Sequence, residues 1–110
     1  MTVKLQLFST RKDPTWEMDT SVVEYINTLW NNLQPYMPFE DHIPSLGYRG
    51  FEVTRQENSW LVFRQYVRLT QQDGSIEYRI DHQRLMENFL IRKTSPEVNQ
   101  DIINYIEAGL

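Results

Sequence analysis

Residues 67–80 read VRLTQQDGSIEYRI, and the fold turns on how the chain reverses within them. Asp73-Gly74 is the strongest short hairpin signal in the chain, because a two-residue type I′ turn needs positive φ at both central positions. With these two residues as the turn, Leu69 faces Tyr78, Val67 faces Ile80 and Gln71 faces Ile76, so the apolar side chains of both strands share one face. The opposite face of the same register then carries Arg68 across from Arg79 and Tyr66 across from Asp81.

Upstream, the same logic extends the first of these strands back through Trp60 and sets a second hairpin. A two-residue loop at Glu57-Asn58 puts Phe51 and Val53 on the opposite face from Leu61 and Phe63, splitting the core. A three-residue loop at Glu57-Asn58-Ser59 pairs Val53 with Phe63, Arg55 with Leu61 and Phe51 with Gln65, and is preferred. It also places Glu52 opposite Arg64, with Trp60 and Val62 in the row of arginines.

Further out, residues 2–8 alternate, Val3, Leu5 and Leu7 against Lys4 and Gln6, as in a strand with one buried face. The stretch Ser9 to Asp19 contains Pro14 and little periodicity and reads as a loop. Val22, Val23, Ile26, Leu29, Trp30 and Leu33 follow a helical stripe, with Ser21 and Glu24 as a capping box and Pro35 as the stop. Pro35 to Pro44 holds three prolines and reads as an irregular surface loop. Asp81 can cap a helix carrying Leu85, Met86, Phe89 and Leu90. Ser95, Pro96 and Glu97 start another, lined by Val98, Ile102, Tyr105 and Ile106 and ended by Gly109. The expected architecture is a single α+β domain over 1–110, a four-stranded, largely antiparallel sheet with helices packed on one face, in the order β-α-β-β-β-α-α.

Composition bounds the function. The chain has 110 residues, 40% of them hydrophobic and 24% charged, which suits a folded domain and not a disordered one. No cysteine is present, so disulfides, thiol nucleophiles and thiolate metal sites are excluded. The N-terminal segment is too short and too polar for a signal peptide, and no run approaches the roughly 20 apolar residues of a membrane span. A cytoplasmic protein without membrane association is the expectation. A net charge of −4 disfavours nucleic acid as a partner.

Opposed arginines cost about 0.2–1 kcal/mol unless a negative group lies between them. Arg64, Arg68 and Arg79, with Trp60 and Tyr66 beside them and Tyr48 and Arg49 at the mouth of the sheet, form the candidate surface for a protein partner or a small anionic ligand. The structural alternative is that the arginines reach into water and pair with Glu52 or Glu77, while the aromatics are covered by neighbouring elements.

Other motifs carry less. Gly47-Tyr48-Arg49-Gly50 fails the dinucleotide and phosphate-loop patterns; Gly47 fits a turn, and Gly50 fits a close approach within a strand. His42 and His82 lack ligand spacing despite the neighbouring Glu40, Asp41 and Asp81, so no metal site and no cofactor is expected. Asp13, Glu17 and Asp19 around Trp16 suit a helix start better than acid–base work on a sugar. The residues imply a small non-enzymatic binding or accessory protein using the outer sheet face. The alternative is a small hydrolase or isomerase built on His42 or His82 with a nearby carboxylate. Self-association through the outer face is a third reading, with an expected mass near twice 13.2 kDa.

Overall fold

In the computed structural model, residues 2–6, 13–37, 48–94 and 100–108 are described. Among them run β1 (Thr2–Gln6), β2 (Thr15–Glu17), α1 (Thr20–Asn31), β3 (Gln34–Pro35), β4 (Gly50–Arg55), β5 (Asn58–Phe63), β6 (Tyr66–Thr70), β7 (Ile76–Ile80), α2 (Leu85–Arg92) and α3 (Gln100–Ala108). The strands form one seven-stranded antiparallel sheet in the order β2-β1-β4-β5-β6-β7-β3. The expected four-stranded sheet is therefore corrected, for two physical reasons.

The first is a reversal with no turn residue in it. The strand expected to run from Trp60 into the Asp73-Gly74 turn breaks at Arg64-Gln65, and Phe63 pairs with Tyr66. Arg64 takes φ +54°, the positive φ at the first central position that primed hairpin turns require. Its N–H is held by the Glu87 carboxylate at 2.7 Å. The second reason is that the edge strands are short: three residues in β2, where a loop was expected, and two in β3. Each is defined by pairing with its neighbour, β1 or β7, and not by a pattern of its own. Pro35 is tolerated because an edge strand can spare an N–H.

Both expected registers also shift. The β4–β5 loop is the pair Gln56-Glu57, with Arg55 opposite Asn58 and Gln56 at φ +54°, so Val53 faces Trp60 and Phe51 faces Val62. The β6–β7 loop has three residues, Gln72 to Gly74. Gln71 donates to the Ser75 carbonyl, Gly74 donates to that of Gln71, and Gly74 sits at φ +86°. Leu69 consequently faces Glu77, Val67 faces Arg79, and Tyr66 faces Ile80. A one-residue slip exchanges the faces of a strand.

The resulting core is continuous. Val3, Leu5, Phe51, Val53, Trp60, Val62, Val67 and Leu69 share the face that meets Ile26 and Trp30 of α1, Met86, Leu90 and Ile91 of α2, and Ile103 and Ile106 of α3. Each fully buried aliphatic or aromatic side chain contributes about 1.5–3 kcal/mol of transfer free energy. Three further local expectations meet specific outcomes. The α1 stripe holds, with Val23, Ile26 and Trp30 buried, but the helix begins at Thr20 after Asp19 and makes no side-chain cap bond, so the Ser21–Glu24 capping box is replaced. In α2 the buried stripe is Met86, Glu87, Leu90 and Ile91, while Leu85 is exposed. Gly50, at φ +106°, abuts β5: an added Cβ would lie 2.5 Å from the Val62 carbonyl oxygen. Leu7, Gly47, His42 and the Ser95–Pro96 helix start lie outside the described residues.

Candidate functional site

Strand pairing decides where the seven candidate residues stand, since directly paired residues of an antiparallel sheet share a face. Val67 lies on the helix-covered face and pairs with Arg79, so Arg79 lies there too; Arg68 pairs with Tyr78 and Leu61 on the outer face. Arg68 and Arg79 are therefore separated by the sheet, which corrects the expected row of opposed arginines. Arg79 places its guanidinium over the Trp30 ring at 4.3 Å, donates to the Trp30 carbonyl at 2.7 Å and pairs with Glu77 at 2.5 Å. It ties the end of α1 to the sheet. Trp60 is a core residue, and its indole N–H meets no acceptor among the described residues.

Arg64 serves the interior. Its guanidinium lies over the Tyr48 ring at 4.9 Å and donates to the Ile106 carbonyl of α3 at 3.0 Å. Tyr48 is also buried, and its hydroxyl donates to Glu87 at 2.6 Å. Arg49 donates its backbone N–H to Gln6 and places its guanidinium 3.6 Å from Asp13. Of the seven, only Arg68 and Tyr66 remain together on the outer face.

Glu87 was not legible as a site residue, although a charge inside the Met86–Ile91 stripe is a sequence signal. Its side chain is completely buried. It accepts from the Tyr48 hydroxyl and the Arg64 N–H, pairs with the Arg84 guanidinium, and has Arg64 Nη1 at 3.9 Å. Arg84 itself adopts the left-handed region, φ 56° and ψ 38°. Burial pushes the Tyr48 phenol far above its usual range, and the adjacent Glu87 carboxylate adds to the shift. This knot joins the entry to β4, the β5–β6 turn, α2 and α3. A carboxylate with no exposed surface and committed donors on every side is suited to holding elements together, not to meeting a substrate.

The outer face gathers a different set. The Tyr36 N–H donates to the Tyr78 carbonyl at 2.9 Å, carrying the β3–β7 ladder one pair further. Tyr36, Tyr78, Arg68, Leu61, Glu52 and Lys4 thus form one cross-strand row from β3 to β1. Tyr66 joins it, with its ring 5.8 Å from that of Tyr36. Leu61 and Ile80 are buried on this face, and Tyr66, Arg68 and Tyr78 are half-buried; Met37, which follows Tyr36 in the chain, is 76% exposed. The loop character assigned to residues 35–44 hid Tyr36 and Met37 from the sequence.

The described residues contain no group of three or more histidine, aspartate or glutamate side chains arranged for a metal. His82 stands exposed in the turn after β7. No described helix is long and apolar enough to cross a membrane. Compared with known proteins, the chain matches no family model, and no curated protein and no solved structure is significantly similar to it.

Proposed function

We propose that this chain is a small non-enzymatic binding protein of the cytoplasm that engages a protein partner through its outer sheet face. The observation that carries the proposal is the row Tyr36–Tyr78–Arg68 with Tyr66 packed beside it, next to the exposed Met37 in the chain. Tyrosine, arginine and methionine are the residues over-represented where proteins bind one another, because they offer large contact area with a polar handle. Two features favour contact across the face over strand addition at an edge. Both edge strands have only two or three residues, and one of them contains Pro35, so neither offers a long ladder to an incoming strand. The net charge of −4 favours a protein over nucleic acid.

The test is partner capture by the tagged full chain, compared between wild type, the variant carrying Tyr36→Ser, Met37→Glu and Arg68→Glu together, and the control Glu24→Lys on the exposed side of α1. Capture of a defined partner by wild type and control but not by the triple variant supports the proposal. Capture unaffected by the triple variant removes it. If the partner is a second copy, light scattering gives a mass near twice 13.2 kDa for wild type and control only.

A further inference from the structure

A cleft of about 300 Å³ opens where the end of α1, the start of β3, the end of β7 and the start of α2 converge. The lining is mixed: Leu29, Leu33, Ile80 and Leu85 are apolar, and Asn32, Gln34, Asp81, His82 and Gln83 are polar. Small-molecule sites combine apolar walls with placed polar groups, and this volume lies at the lower end of their range.

Asp81 sets the chemistry. Its residue surface is 3% exposed, yet the side chain makes no ion pair among the described residues. One carboxylate oxygen, Oδ2, accepts the Met86 N–H at 2.9 Å at the start of α2. The other oxygen meets no donor among the described residues and is not sealed from solvent. Of the two arginines nearest in sequence, Arg79 directs its guanidinium to Glu77, and Arg84 gives its backbone N–H to the Asp81 carbonyl but directs its guanidinium to Glu87. Among the described residues this buried acid thus has no counter-ion at the cleft, an arrangement that is costly unless a cation completes it.

We propose that this cleft binds a small hydrophobic cation, a primary ammonium carried on an apolar body. The ammonium donates to Asp81 Oδ1, and the body lies against Leu29, Leu33, Ile80 and Leu85. An ammonium is favoured over an alcohol of the same shape because a hydrogen bond between two charged groups is roughly twice as strong as a neutral one. A carboxylate of that shape is repelled, and the net negative charge of the chain adds to the discrimination. This proposal does not rest on the outer-face contact, although Ile80 borders both.

The experiment is an amide NMR titration of the full chain with phenethylammonium, 2-phenylethanol and 3-phenylpropionate. The expected result is saturable binding of the amine with shifts confined to the residues around Leu33, Ile80, His82 and Leu85, alcohol binding weaker by at least about tenfold, and no response to the acid. Asp81→Asn keeps an acceptor for Met86 but removes the charge, and lowers amine affinity to the level of the alcohol. Leu85→Arg, at a residue 45% exposed and tolerant of change, places a cation at the rim and abolishes amine binding in a folded chain. No amine binding, equal binding of the acid, shifts centred elsewhere, or an amine affinity unchanged in Leu85→Arg overturns the proposal. The last criterion holds even if Asp81→Asn fails to fold.

Discussion

Replacing Glu87 by glutamine tests whether the buried carboxylate holds the fold together. The carboxamide oxygen can still accept from the Tyr48 hydroxyl and the Arg64 N–H, which lie at 2.6 and 2.7 Å from Glu87 Oε2. The charge facing the Arg84 and Arg64 guanidinium groups is lost, and an NH₂ group is set among their donors. Removing one partner of a buried ionic group costs about 3–5 kcal/mol. The two arginine side chains remain 20% and 23% exposed, so water relieves part of their isolation, and the expectation falls at the lower end, about 3 kcal/mol. Domains of this size are stable by about 5–15 kcal/mol, so the loss is a large fraction of the whole. Urea unfolding followed by the fluorescence of Trp16, Trp30 and Trp60 measures it. With a slope of about 1–3 kcal/mol per molar urea, the midpoint drops by roughly 1–3 M. Tyr48→Phe removes a single donor to the same carboxylate and costs about 1.5–3 kcal/mol. The two changes are coupled by more than about 0.5 kcal/mol in a double-mutant cycle. A Glu87→Gln loss under about 1 kcal/mol, in the range of a surface substitution, refutes the account of the knot as a structural hub.

Three further outcomes follow from the same geometry. Gly50→Ala meets the Val62 carbonyl at 2.5 Å as well as the unfavourable φ of +106°, and destabilises by more than about 3 kcal/mol, whereas Gly74→Ala, with nothing within 4 Å, costs only the backbone strain of about 1–2 kcal/mol; thermal unfolding of the two variants separates them. The Tyr48 phenol holds its proton more tightly in the folded chain than in the unfolded one, so its contribution is complete below pH about 10 and declines as pH rises beyond it, by about 1.4 kcal/mol per pH unit. That alkaline slope, read from denaturation at several pH values, is absent in Tyr48→Phe. Arg79→Met removes both the bond to the Trp30 carbonyl and the charge over its ring, and lowers stability by about 1–3 kcal/mol; unaltered stability in urea contradicts the tie between α1 and the sheet.

The local elements were readable because each obeys a short-range rule. Alternation put Val3 and Leu5 in the core, the 3.6-residue stripe located α1, and the Asp73-Gly74 pair marked a reversal, with Asp73 Oδ1 accepting the Ser75 N–H within the loop. The candidate surface was less legible, since Tyr66 and Arg68 kept their face while Arg79 and Trp60 went to the other.

What the amino-acid order determined by itself was therefore which segments bury one side, and roughly where. What only the tertiary structure decided was how those segments meet. Phe63-Arg64-Gln65-Tyr66 contains no glycine, proline, asparagine or aspartate to announce a turn, and its positive φ is held by Glu87, 23 residues further along the chain. The two-residue β3 exists only as the partner of β7, and it is what brings Tyr36 beside Tyr78. Because side chains alternate with period two, one extra residue in the β6–β7 loop was enough to send Arg79 inward, and no local signal carries that count when two loop lengths both accommodate the same Asp-Gly pair.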